Sequence, residues 1–280
     1  PNPIPYLSIV FARINNPVGC VSIRELPLVV NKLPQITREE MGGYVCLENP
    51  DFYTKIDAAI LEGLSTDYSY EWFLDNNPLF LTAYEISVNT PGMYTVKVTN
   101  NDSGCSVNRK ITVSNVVAPI VNSIEVIDFN TDNNQVIVNI TPATNGDYVD
   151  AMDYKNGRYQ VSNTFENVTW GIHEMYIKDL NACGIFGPYE VTVLGIPGFF
   201  SPNGDGYNDQ WNLKGASATY NSRANIRIFD KFGKLMKQIA ASGQGWDGNY
   251  NNNPAPAEDY WYIIELEDGR SVKGHFSLKR

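Results

Sequence analysis

Apolar residues along this chain come in short runs of period two, broken by Asn, Gly, Asp and Pro rather than spaced as on a long helix. Tyr68, Tyr70, Trp72 and Leu74 alternate with Ser69, Glu71 and Phe73, which predicts a strand with one inward face. The stretches Gln135 to Ile140 and Gly171 to Ile177 read as further strands, and Asn156-Gly157 as a hairpin turn whose flanking aromatics pack one sheet face. Ile226 and Ile228 alternate with Asn225 and Arg227; Tyr260, Tyr262, Ile264 and Leu266 alternate with Trp261, Ile263 and Glu265. Val272, Gly274, Phe276 and Leu278 alternate with Lys273, His275, Ser277 and Lys279, and Asp268-Gly269 turns the chain between these last two strands. With 17 Tyr, 12 Phe and 5 Trp among many Val, Ile and Thr, the pattern predicts an all-β chain of tandem antiparallel sandwiches.

One unit recurs. Tyr6 to Val10 followed by Asn15-Asn16-Pro17-Val18-Gly19-Cys20 returns as Tyr94 to Val98 followed by Asn100-Asn101-Asp102-Ser103-Gly104-Cys105. A weaker copy runs from Met175 to Cys183 and closes on Val191-Thr192-Val193, as Ile111-Thr112-Val113 closes the second. The copies lie roughly 80 residues apart, one small sandwich. Each reads as the last two strands of a module, so residues 1–33 are expected to end a module whose earlier strands precede Pro1. Prolines just after Val-rich strands place the other divisions at 34–117, 118–194 and 195–280.

The order Cys46, Trp72, Cys105 resembles an immunoglobulin-like sandwich, in which a core Trp packs on an inter-sheet disulfide. The resemblance implies a Cys46–Cys105 bridge, with Cys20 left unpaired and Cys183 a small buried thiol, although sequence alone does not fix connectivity. The match is architectural, since an antibody-type domain carries Tyr where this chain has Ser103. Tyr154 to Val168 followed by Gly171 and Tyr176 to Gly184 resembles the repeats of SprB-type gliding adhesins.

From Gly195 onward several motifs follow in order: Phe199-Phe200-Ser201-Pro202-Asn203-Gly204-Asp205-Gly206-Tyr207-Asn208-Asp209, then Ile226 to Leu235 with Phe232-Gly233, then Trp246-Asp247-Gly248. Asp259 to Ile264 with Tyr260, and Lys273-Gly274 to Lys279-Arg280, complete the set. At these residues the chain resembles the type B, gliding-motility-associated C-terminal sorting domain of the Bacteroidetes type IX secretion system. The resemblance implies a β-sandwich that acts as a folded export signal, with Phe199, Pro202, Asn203, Gly204, Asp205, Gly206, Asp209, Phe232, Gly233, Trp246, Asp247, Gly248, Tyr260, Lys273, Gly274, Lys279 and Arg280 as its sorting residues. It implies as partners the SprA-type translocon barrel and either a PorV-type shuttle or a PorP/SprF-type outer-membrane barrel, and a destination at the cell surface or in the medium.

A formal charge of −10 disfavours nucleic-acid and anionic-membrane surfaces, both of which need clustered Lys and Arg. No apolar run approaches the ~18–20 residues of a membrane span, and Pro1 to Pro5 lacks the character of a signal peptide. Asn203, Asp205 and Asp209, with the carbonyl of Tyr207, offer oxygens much as a Ca²⁺ loop begins, but Lys214 stands at its twelfth position and the alternative is a turn with positive φ at Gly204 and Gly206. No other cofactor is expected. His173 and His275 each sit in an alternating strand, where an exposed polar face is the simpler account, and no nucleophile or paired carboxylates accompany them. The expectation is a non-enzymatic surface adhesin, with the end of a secreted hydrolase as alternative. Trp170, Trp211 and Trp246 suit core packing better than sugar stacking.

Overall fold

Each alternating segment forms a strand. A computed structural model describes residues 6–15, 17–37, 42–130, 133–143, 145–217 and 219–280, so Pro1 to Pro5 and Asn16 of the first repeat copy lie outside the described residues. Two compact units result: residues up to Ala118 with Ala143–Gly146 and Asn181–Gly184, and Pro119–Pro142 with Asp147–Leu180 and Ile185–Arg280.

The first unit opens with a two-stranded antiparallel hairpin, β1 (Tyr6–Asn15) and β2 (Val21–Val30), on which Phe11, Ile23 and Val29 are exposed. Next come β3 (Gly43–Cys46), β4 (Thr54–Asp57), β5 (Tyr68–Leu74), β6 (Asn77–Pro78), β7 (Glu85–Val88), β8 (Gly92–Asn100) and β9 (Ser106–Val116). They form a five-stranded sheet in the order β3-β9-β8-β5-β6, faced by the pair β4-β7. The inward phase of β5 fills the core, where Tyr70 and Trp72 pack with Tyr94, Val96 and Val98 of β8. Each buried ring carries its polar atom to a carbonyl, the Trp72 indole donating to Ala83 at 2.9 Å and the Tyr70 hydroxyl to Ser65 at 2.7 Å.

In the second unit, β10 (Ile120–Ile127), β11 (Gln135–Thr141), β12 (Tyr148–Met152), β13 (Thr164–Phe165), β14 (Gly171–Asp179) and β15 (Gly184–Val193) make two three-stranded sheets, β10-β11-β13 and β12-β14-β15. Val136, Val138, Met175, Ile177, Val191 and Val193 fill the space between them. The terminal sandwich adds β16 (Phe199–Phe200), β17 (Asn225–Phe229), β18 (Leu235–Ala240), β19 (Asn249–Tyr250), β20 (Asn253–Pro254), β21 (Asp259–Glu265) and β22 (Ser271–Leu278), with a main sheet ordered β16-β22-β21-β17-β18.

The all-β, tandem-sandwich expectation holds, and four of its details change. Among the described residues, β3 pairs with β9 and β16 with β22 in parallel, the first strand of each of these sandwiches lying beside its last and running the same way. Cys46 is bonded to Cys183, not to Cys105, and Cys183 is therefore no buried thiol; Cys105 is a free, partly exposed cysteine and Cys20 is exposed. His173 is buried instead of exposed, since it shares the inward phase of β14 with Met175 and Ile177. Its Nδ1 meets the Asp153 carboxylate at 2.9 Å and its Nε2 the Thr169 carbonyl at 2.8 Å. The turn at Asn156-Gly157 closes only a single bridge, Asp150 to Gln160, and leaves Tyr154 74% exposed.

Asp150, on β12, is buried with its Oδ1 unpartnered, and burial pushes its carboxyl up to about 6. The folded state thus holds this proton more tightly than the unfolded chain, which loses it near pH ~4. The sign follows: this group lowers stability as pH rises from about 4 to about 6, and the penalty persists above that. Asp150→Asn is expected to raise stability at pH 7 by about 1–2 kcal/mol and to change it little at pH 4. Denaturant melts at the two pH values check this, and equal effects at both would contradict a titrating Asp150.

Candidate sorting surface of the terminal sandwich

The interior of the terminal sandwich is aromatic. Phe276 of β22 stacks on Trp211 with ring centroids 3.9 Å apart, and Phe200, Trp246, Tyr260 and Tyr262 surround it. The Trp211 indole donates to the Pro197 carbonyl and that of Trp246 to Asn249, each at 2.8 Å. Burial raises the Tyr260 hydroxyl to about 12, and that hydroxyl donates to the Pro256 carbonyl at 2.9 Å. Trp246 and Tyr260 are therefore framework. Trp211 is equally enclosed, whereas Trp170 is half-exposed against Gly195.

The chain end is held, not loose. β22 lies between β16 and β21, and the Lys279 amide donates to the Phe200 carbonyl at 2.9 Å while its ammonium sits 4.3 Å over the Phe199 ring. Arg280 donates to the carbonyls of Gly248 (3.0 Å) and Ala255 (3.3 Å). Gly248, at φ 76°, leaves room there: an added Cβ would press on Arg280, Pro202 and Leu278. The fold thus gathers Pro202, Gly248, Lys279 and Arg280 from three distant motifs. A charge change at Arg280 consequently removes structural contacts as well, so it does not isolate recognition. Asp247 accepts from the side chain and backbone of Asn249; partial burial works against this, but these bonds hold its carboxyl below the usual carboxylate range.

The loop after β16 is built on its carboxylates. The two Asp209 oxygens accept from the amides of Gly204 (2.7 Å) and Gly206 (2.8 Å). Asp205 accepts from the Asn203 side chain (2.8 Å) and the Tyr207 amide (2.7 Å), which lower its pKa in that order. Gly204 and Gly206 take φ 79° and 88°, values an L residue rarely adopts. This geometry accounts for the loop through its own amides. A chelator is expected to leave the melting temperature unchanged and Asp209→Ala to lower it, whereas a rise in melting temperature on titration with Ca²⁺ would assign a cation to Asn203, Asp205 and Asp209.

Phe232 and Gly233 lie elsewhere, at the tip of the β17–β18 turn, where Asp230 accepts from the amides of Phe232 and Lys234. Phe232 is 83% exposed. Beside this turn the outer sheet face forms a shallow groove of about 650 Å³, lined by Phe229, Lys231, Trp261, Ile263, Lys273 and His275. Adjacent registers place Phe229 opposite Trp261 and Trp261 opposite His275. Gly274 faces inward beneath Tyr262, where a Cβ would collide with the phenol oxygen. Lys273 is thus the outward member of its pair. The sequence reading missed Trp261 and Phe229; the available signal was two large apolar residues, Trp261 and Ile263, on the outward phase of β21.

Residues 194–278 match the family model described as "CHU_C Type IX secretion signal domain". The terminal sandwich is a type IX secretion signal domain, of type B. It makes the chain cargo of the type IX machinery, exported to the cell surface or the medium. No curated protein matches the chain. Among solved structures, Sidekick-1 immunoglobulin domains 1–5 align over 97% of this chain and 66% of theirs, so the chain spans just under two thirds of that length, at 12% identity and a TM-score of 0.32. The FN1–FN3 domains of chicken CNTN1 cover 65% of this chain and 76% of theirs, at 14% identity and TM-score 0.37. Three N-terminal domains of the bacteriophage RB49 highly immunogenic outer capsid protein cover 80% and 93%, at 11% identity and TM-score 0.32.

Proposed function

We propose that this chain is the C-terminal part of a gliding or adhesin-type surface protein of a Bacteroidetes bacterium, with residues 1–33, 34–117 and 118–194 as non-catalytic stalk modules and 195–280 as the sorting domain. The observation that carries this reading is the order of the chain, in which sandwiches with filled cores and a disulfide precede a folded export signal. A strand-built stalk keeps its interior dry and leaves its outer faces to partners. The exposed sorting residues, Phe232, Lys273 and Lys279 with the loop from Asn203 to Asp209, are those available to a PorV-type shuttle or a PorP/SprF-type barrel on the way through an SprA-type translocon. Trp246, Gly248 and Tyr260 support them from within.

Deleting the gene in a type IX-competent host tests the reading. The expected result is weaker surface attachment or gliding with unchanged extracellular hydrolase activities; loss of one hydrolase activity instead would make these modules the spacer of a secreted enzyme. A photo-crosslinking residue at Phe232 is expected to capture an outer-membrane barrel during export.

A further inference from the structure

The groove on the outer face of the terminal sheet lies over β17, β21 and β22, each of which is paired on both sides. The backbone beneath it has no free edge to offer, so whatever binds there meets side chains alone. The outward phase places Trp261 between Phe229 and His275, with Ile263 beside Lys273 in the next row. Trp261 is 43% exposed and lines the groove. A second cleft of about 230 Å³ adjoins it within the same unit, reaching Pro197, Gly198 and Trp170. Trp170 is pressed against Gly195, where an added Cβ would lie 2.3 Å from Cε3, yet it stays 45% exposed. One open indole thus lines each cleft, and Lys273 and His275 line both.

Charge singles out Lys273. Among the described residues, Arg227 of the same face pairs with Glu265 and Lys231 with Glu258, whereas the exposed Lys273 ammonium makes no ion pair. On a chain of formal charge −10, that cation is left for an anion brought from outside. Indole faces beside it suit a ligand built of rings, whose apolar C–H faces stack on them while polar groups stay at the rim. An acidic peptide laid out as a strand would draw its affinity from backbone pairing, which the strands under this groove cannot give. We propose that the two clefts form one binding surface for an acidic polysaccharide, with Trp261 and Trp170 each stacking a sugar ring, Lys273 holding a uronate carboxylate and His275 donating to a neighbouring hydroxyl. Binding at this surface does not depend on the sorting role of the terminal domain, and its failure in vitro would leave that role standing.

Affinity electrophoresis of the full chain through gels that hold polygalacturonate tests this, with the fully methyl-esterified polymer as the uncharged control. Polygalacturonate is expected to retard the chain and the ester to retard it far less. Trp261→Ala and Trp170→Ala are each expected to weaken retention about tenfold, and Phe at either position to restore most of it. Lys273→Gln is expected to bring the acid and the ester to equal retention. Melting temperatures of the Trp261 and Lys273 variants are expected to match the parent, since both side chains are exposed. Retention by neither polymer, equal retention of the parent by both, or retention that outlasts the loss of Trp261 overturns the proposal. So does tighter binding to polyglutamate than to polygalacturonate, which would assign the surface to an acidic peptide.

Discussion

Deleting Arg270–Arg280 is expected to unfold the terminal sandwich and leave the chain in the periplasm. β22 is paired on both sides, so its loss strips hydrogen-bond partners from β16 and β21 together. It also removes Phe276 and Leu278, both buried, from the aromatic core. Phe276→Ala alone is expected to cost about 3–5 kcal/mol, a large share of the ~5–15 kcal/mol that holds a domain together. Surface immunoblotting of a type IX-competent host reads export, and circular dichroism of purified protein reads the fold. Lys273→Glu separates recognition from folding, because Lys273 is exposed on the groove and is expected to leave the melting temperature nearly unchanged. Export that survives removal of all of 195–280 would refute the sorting role.

Local periodicity carried most of what was legible in the chain. The inward phases of β5, β17, β21 and β22 can be read from alternation because a pleated strand sends every second side chain to one face, and Tyr70, Trp72, Ile226, Ile228, Tyr260 and Ile264 are all buried. The same rule already placed His173 with Met175 and Ile177, so its burial was written in the sequence and was lost only by treating a histidine as polar. Phe199–Phe200 was not legible as a strand: two residues have no period, and their partners are Ser277 and Leu278, near the other end of the domain. The site divides likewise. The Asn-Gly-Asp-Gly loop announces its turns through residue type, whereas the meeting of Gly248, Pro202 and Arg280 arises from packing between distant segments. Disulfide connectivity failed for the same reason. Cys46 and Cys105 bracket Trp72 in sequence, but β3 ends where the turn before β15 arrives, and proximity in space chose Cys183.

Breaking the Cys46–Cys183 bond is expected to be the most destabilising change outside the terminal domain. The two residues are 137 apart in sequence, so the bond closes a long loop and removes much of the freedom of the unfolded chain. On the chain-entropy account this is worth about 5 kcal/mol, with native-state strain and residual denatured structure reducing what is measured. The loss is local in the folded state, since Cys183 belongs with Asn181–Gly184 to the first unit. The Asn181 side chain also reaches the Asn145 carbonyl there, at 2.5 Å. Cys46→Ser and Cys183→Ser are therefore expected to lower the first unit's transition alike, and the double variant no further, because either one alone abolishes the bond. Cys105→Ser is expected to leave that transition in place. Calorimetry of the four proteins, with and without reductant, separates the cases: a Cys105→Ser protein that melts like Cys46→Ser would mean that Cys46 pairs with Cys105 after all.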